Sequence, residues 1–221
     1  MIEERVKIGV FKDRAFSFYY PENLEALENE GAELVYLDAM KDSLPDLDGL
    51  YIGGGFPEVF AQELQDNIAM RDAVKNASEA GMPIYAECGG LMYLVKELVS
   101  ENNHYKMAGI FDCTVAMEKR PVGLGYAFQR VTAENPFFTE NTRVVGHEFH
   151  HSRVHFPEGA APQKYGFITE RGKGIAEQNG VLCDGLVSNR TLATYHHFHA
   201  ASSTEWAERF LQLSRAFHKN K

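Results

Sequence analysis

The chain has 221 residues with 22 Lys plus Arg against 31 Asp plus Glu, and its formal net charge of −9 excludes the extended basic face that a nucleic acid requires. A hydrophobic fraction of 44% and an aromatic fraction of 12% suit one globular domain over 1–221 with a real core, and no stretch approaches membrane-spanning length. Three widely spaced cysteines, Cys88, Cys113 and Cys183, exclude a disulfide framework and fit a reducing compartment, the cytoplasm.

Met1 to Arg5 are charged with no apolar run behind them, so no signal peptide is expected. Residues 6–11 are apolar and β-branched and predict a strand. An aromatic connection follows, Phe16 to Tyr20, expected in the core. Leu24 and Leu27 set a helix over 22–30, stopped by Gly31. Strands are predicted over 32–37 and 48–52, the second running into Gly53-Gly54-Gly55, then helices over 57–66 and 67–80. Residues 82–86 are a short strand that meets Cys88-Gly89-Gly90, and a helix is predicted onward through Leu98. Strand and helix alternating in this way predict an α/β fold: a mainly parallel sheet with helices on both faces, and ligands at the carboxyl ends of its strands.

The second half is glycine-rich and β-branched and predicts a β-rich extension, with strands over 108–118, 123–132, 143–155, 164–170 and 191–196. Ser202 and Glu205 have capping-box spacing at the start of a final helix carrying Trp206, Phe210, Leu211 and Leu213.

Cys88 sits between a strand and a helix, beside two glycines that leave room for a sharp turn. Such an elbow lifts a nucleophile toward a cleft, and the helix N-terminus favours a thiolate. A bare cysteine is more often a buried structural thiol; the strand–Cys–Gly–Gly–helix context favours the nucleophile. Gly53 to Gly55 lack the Lys-Ser/Thr of a phosphate loop and the third glycine of a dinucleotide fingerprint. Either they form a tight turn, or one N–H from this loop and one from Gly89 make an oxyanion hole. Tyr195-His196-His197-Phe198-His199 ends a late strand, and there His197 and His199 share a face opposite His196. A cysteine nucleophile needs such a histidine as base; a structural or metal-binding cluster is the rival. His147-Glu148-Phe149-His150-His151 spells the His-Glu-x-x-His of zinc peptidases, but its flanks read as strand. There His147 and His151 would stand roughly 13 Å apart, at about 3.3 Å per residue, too far to grip one ion, so no metal is expected.

Five stretches together resemble a known family: 16–24, 50–58, 85–93, 146–153 and 193–199. They are similar to the glutamine amidotransferase domain of cobyrinic acid a,c-diamide synthase. That resemblance implies a class I glutamine amidotransferase fold and L-glutamine as substrate, hydrolysed to glutamate and ammonia through a cysteine thioester. It assigns Cys88 as nucleophile, His197 as base, and Gly54, Gly55 and Gly89 to the oxyanion loop. Class I enzymes place a glutamate two residues after the base; here that residue is His199, a supporting candidate, and no carboxylate is evident to hold the tautomer of His197. The resemblance also implies an ATP-binding synthetase partner, domain or subunit, holding ATP and Mg and amidating a corrinoid. This sequence has no phosphate loop and is expected to hold no cofactor itself. A partner-independent cysteine hydrolase and a non-catalytic partner-binding domain are the alternatives, and an oligomer is compatible with the sequence.

Overall fold

The structure, a computed structural model, describes residues 5–203 and 205–221. The first half follows the predicted alternation. β1 (Val6–Phe11) is buried at five of its six positions, as a strand covered on both faces should be. α1 (Pro21–Asn29) opens on a proline, whose missing N–H is no loss at a helix start, and Gly31 ends it at φ +97°. β2 (Ala32–Leu37) and β3 (Gly49–Ile52) follow. A short 3₁₀ turn, Pro57–Phe60, leads to α2 (Ala61–Asp66), and α3 (Ile68–Glu79) starts at Asn67, whose side chain accepts from the Met70 N–H at 3.3 Å. β4 (Ile84–Glu87) then runs into Cys88 and α4 (Gly89–Leu94).

The predicted helix through Leu98 is cut short at Leu94. From Val95 the chain is extended as β5 (Val95–Ser100), turns back through Glu101 and Asn102, both at positive φ, and pairs with β6 (Asn103–Lys106). Two left-handed residues match the twist of a tight hairpin, and a parallel pairing with β7 (Phe111–Met117) consolidates the strand. β8 (Gly123–Val131) and β9 (Arg143–His150) form a long hairpin. The predicted strand over 143–155 breaks at His151, after which β10 (Ser152–His155) joins β7 in a separate four-stranded sheet. β11 (Tyr165–Arg171), β12 (Ala176–Gln178) and β13 (Val181–Ser188) precede β14 (Thr191–Thr194) and the two-residue β15 (His197–Phe198), and α5 (Glu205–His218) closes the fold. β6, β12 and β13 lie outside the predicted strands, and the late strand breaks after Thr194, its end returning as β15. β13 is hidden by Asp184-Gly185, which reads as a turn; in the fold Gly185 takes φ +72° and a Cβ there would stand 2.8 Å from Phe167.

The large sheet runs β15-β9-β8-β11-β13-β14-β4-β3-β1-β2, with β12 beside β13. Its parallel part is β14-β4-β3-β1-β2, and the second-half strands continue it antiparallel, so the sheet is mixed. Alternate side chains feed two cores. Leu50, Ile52, Ile84 and Ala86 pack with Leu64, Val74 and Leu91 on the α2–α4 side. Ile8, Tyr51, Tyr85 and Leu192 pack with Leu24, Leu27, Trp206 and Phe210 on the α1–α5 side. Because β3, β4 and β14 are neighbours, their carboxyl ends bring the glycine loop, Cys88 and the late histidines to one place.

The Ser202–Glu205 box spans Thr204, which lies outside the described residues. Its two ends are turned elsewhere: the Ser202 hydroxyl donates to the Val145 and His199 carbonyls, and the Glu205 carboxylate accepts from the Thr139 N–H and hydroxyl. No helix among the described residues is long and apolar enough to cross a membrane.

Candidate active site

Cys88 occupies the elbow that its flanks predict. Its backbone is at φ 47°, ψ −96°, a conformation that costs a non-glycine residue energy and is held by its neighbours. The Cys88 N–H donates to the Thr194 carbonyl at 2.7 Å, and the Gly90 N–H to the Gly53 carbonyl at 3.1 Å. Of the two glycines after the sulfur, Gly90 is sterically required and Gly89 is tightly packed. A Cβ on Gly90 would stand 2.4 Å from the Ile52 carbonyl oxygen, and one on Gly89 3.0 Å from the Gly55 nitrogen.

His197 is the histidine that reaches the site. It is buried, as is Glu87, whose carboxylate Oε2 lies 3.6 Å from His197 Nδ1. At that distance the contact is an ion pair rather than a hydrogen bond. Nε2 is left for Cys88, with which the ring interacts. Burial alone would lower the imidazole's pKa, but the negative charge of Cys88 and the Glu87 carboxylate outweigh it and raise the value to about 10. Glu87 is itself fixed: its Oε1 accepts from the Phe198 N–H at 3.2 Å, and its Oε2 from the Tyr51 hydroxyl at 3.3 Å. Buried Asn23 donates to Tyr51 Oη and the Phe198 carbonyl and accepts from the Ala200 N–H at 2.7 Å, tying α1 to the strand that carries His197. The expected lack of a carboxylate is thereby corrected. It comes from the residue before the nucleophile, at the end of β4, not from the place two residues after the base, where His199 stands.

The other histidines divide. His196 is fully buried against Phe167, on the opposite side from His197, and burial lowers it to about 3. His199 does not support His197. Its ring leans on Tyr20 at 4.6 Å, its Nε2 lies 3.6 Å from Glu22, and its Nδ1 accepts from the Ala201 N–H. His147, unassigned by the sequence, stacks on His197 with ring centroids 4.8 Å apart at 18°. β9 makes 147–150 a strand, as their flanks predict, and no group of three or more His, Cys, Asp or Glu placed to hold a metal occurs among the described residues. His150 is buried and stacked flat on Tyr195, with Nδ1 3.0 Å from the Ser152 carbonyl.

The glycine loop is divided too. Gly54 is paired with Phe18, its N–H donating to the Phe18 carbonyl at 3.0 Å, so it has no N–H to offer an oxyanion. Its role is steric: a Cβ there would stand 2.5 Å from His197 Cε1. Among the described residues the Gly55 N–H has no hydrogen-bond acceptor, and the Gly89 N–H, at the first position of α4, has no intrahelical one. Gly55 at φ +153° admits only glycine, since a Cβ would collide with the Ala15 carbonyl at 2.0 Å.

Cys88 and His197 open onto a cavity of about 150 Å³ walled by Phe18, Phe56, Met92, Met117, Phe149 and Glu58. Burial raises the Glu58 carboxyl. The aromatic connection expected in the core is split between two duties. Phe16 is buried, and the Tyr19 hydroxyl bonds the Phe11 carbonyl and the Gly53 N–H, whereas Phe18 is 40% exposed and, with Tyr20, frames the histidine pair. Glu87, Asn23 and His147 are the site residues that sequence reading missed. Each sits inside a stretch that carried the family likeness, but only the fold sets them around one ring.

Residues 7–205 match the family described as the CobB/CobQ-like glutamine amidotransferase domain. The cobyrinate a,c-diamide synthase of Methanothermobacter thermautotrophicus is 42% identical over 215 residues, which covers 97% of this chain and 46% of that protein. The chain thus spans about half the length of the curated relatives it matches. Among solved structures, PurLQS from Thermotoga maritima superposes with a TM-score of 0.66 at 15% identity, covering 97% of this chain and 100% of that one. A structure described as a glutamine amidotransferase gives 0.65 at 18%, covering 94% and 98%. At such identities the structures speak for the fold alone, and that fold is the class I glutamine amidotransferase fold.

Proposed function

The chain belongs to the CobB/CobQ-like glutamine amidotransferase domain family, and from that premise we propose that it hydrolyses the side-chain amide of glutamine at Cys88 and hands the ammonia to an ATP-dependent amide-forming partner. The observation that carries the reading is the buried Cys88–His197–Glu87 constellation beside two backbone N–H groups, of Gly55 and Gly89, at the head of one cavity.

In this reading the Cys88 sulfur attacks the amide carbon of bound glutamine. The C–S bond forms, and the carbonyl oxygen takes the negative charge toward the Gly55 and Gly89 N–H groups. Protonated His197 gives its proton to the departing nitrogen, the C–N bond breaks, and ammonia leaves a glutamyl thioester. His197, now neutral, takes a proton from water as the water attacks the thioester. The C–S bond breaks, glutamate is released, and the thiolate–imidazolium pair is restored. One glutamine and one water give one glutamate and one ammonia. Glu87 holds Nδ1 and stabilises the imidazolium in each half of the cycle.

The finer part of the proposal is the ammonia's destination. The relatives are cobyrinate a,c-diamide synthases about twice as long as this chain. Here the a and c side-chain carboxylates of a corrinoid are the acceptors, and ATP and Mg belong to the partner half. All three cysteines are free, which suits a cytoplasmic setting.

Glutamate release from glutamine tests the hydrolytic step. Cys88→Ala should lower turnover by a factor of about 10³ or more, because the covalent route is removed. Turnover unchanged by that substitution would overturn the nucleophile assignment. Activity toward esters or peptides but not glutamine would replace the amidotransferase with a general cysteine hydrolase.

A further inference from the structure

The His147–His151 segment has a role that the His-Glu-x-x-His spacing does not suggest. β15 pairs antiparallel with β9 in a register that sets His197 directly opposite His147. Residues so paired project from the same face of the sheet, which is why the two imidazoles meet. Gly146, opposite Phe198, permits the approach: a Cβ there would stand 2.0 Å from the His197 carbonyl oxygen.

His147 is anchored in its own right. Its Nδ1 lies 3.0 Å from the Tyr20 hydroxyl, and the rings of Phe18 and Tyr20 meet it edge-on at 5.9 and 6.0 Å. Phe18 also meets His197 edge-on, at 4.9 Å. Burial, and then the charge on His197, lower His147 to about 4, so it is neutral where its neighbour is charged. That pairing is coherent, since two imidazolium rings stacked this closely would repel. A phenyl ring could stack in the same place but could not bond Tyr20.

We propose that His147 is a positioning residue for His197, its Tyr20-anchored ring fixing the plane in which His197 presents Nδ1 to Glu87 and Nε2 to Cys88. The proposal rests on the reading of His197 as the base. It gives the Phe18–Tyr20 connection the task of holding the pair in place.

The test uses the purified chain and two measurements: steady-state glutamine hydrolysis, and the rate at which iodoacetamide alkylates Cys88, followed by mass spectrometry. The second needs no glutamine site and reports the Cys88–His197 pair directly. His147→Ala should lower kcat about tenfold, with KM held within about twofold, and slow alkylation in proportion. His147→Phe, which keeps the stack and loses the anchor, should recover only part of the loss. Tyr20→Phe should match His147→Phe, and the two together should cost no more than either alone, because they cut one contact. If His147→Ala fails to fold, the His147→Phe and Tyr20→Phe pair carries the test through its non-additivity. A rise in KM with kcat unchanged would overturn the proposal and make His147 a substrate contact. So would alkylation that slows in His197→Asn but not in His147→Ala. If the wild-type chain does not hydrolyse glutamine, it is the proposed function that fails, and the alkylation comparison still decides the role of His147.

Discussion

His197 holds its proton between two groups that arrive from one strand end. Glu87 and Cys88 are consecutive, yet they serve the ring from two sides, because the elbow at Cys88 turns the sulfur out of the strand while Glu87 ends it. Glu87→Gln keeps the shape and removes the charge. It should therefore lower the His197 titration midpoint from about 10, with the Cys88 charge still holding it above its ordinary value. Imidazole nitrogen chemical shifts read this directly, and kcat should fall on the order of a hundredfold as the ring loses the carboxylate that orients it. A midpoint unmoved by the substitution would remove Glu87 from the site. The same shift governs stability. A histidine whose folded-state value is raised contributes fully below its unfolded value, about 6.5, and the contribution is lost as pH rises through about 10. Wild-type stability should thus fall on the alkaline side more steeply than that of Glu87→Gln. The sequence exposed Cys88 and His197 through local context, the elbow and the strand end. It did not expose Glu87, because a carboxylate beside a nucleophile in sequence has no reason to touch the base until β4 and β14 lie side by side.

The elements that build the site were legible where their signals are local. β1, β2, β3 and the α1 stop at Gly31 follow from apolar runs and one glycine. The error after α4 has a definite origin: Val95-Lys96-Glu97-Leu98 keeps apolar residues at a spacing of three, which a helix accepts, and only the left-handed Glu101–Asn102 turn and the distant β7 make them a strand. His151 is a similar case, where one predicted strand over 143–155 is split between two sheets by pairing partners that sequence does not reveal. The small residues at the Cys88 elbow were legible as the demand of a sharp turn; the structure adds that Gly90 also lies against β3. A Cβ added at Gly90 would stand 2.4 Å from the Ile52 carbonyl oxygen, so Gly90→Ala must push α4 off the sheet, because a backbone oxygen cannot swing aside. The cost should be about 1–3 kcal/mol of stability, seen as a lower chemical-denaturation midpoint at unchanged slope. Because α4 begins at the Cys88 elbow, glutamine turnover should fall with it. A Gly90→Ala protein as stable and active as wild type would show that the elbow has slack.

At the scale of the whole molecule, the β-rich second half is part of the same sheet: its strands β13, β11, β8 and β9 continue the parallel part edge to edge and return β15 to the nucleophile. The residues of the site thus span both halves of the chain: Glu87 and Cys88 from the parallel part, and His147 and His197 from the antiparallel pair β9 and β15. Two cores, one on each face of that sheet, share β1, β2, β3, β4, β11, β13 and β14 between them. Opening one face strips the strands that the other needs, so the chain should unfold as one cooperative unit. Trp206 makes this measurable. It is the only tryptophan in the sequence, it is fully buried on the α1–α5 face, and the four-stranded sheet of β5, β6, β7 and β10 is built without it. Thermal unfolding followed by Trp206 fluorescence reports that one face, while far-ultraviolet circular dichroism reports all strands and helices. The two curves should share a midpoint. An earlier loss of circular dichroism with Trp206 still buried would mean that the small sheet melts on its own, and Cys88 would then sit at a boundary between two folding units rather than inside one.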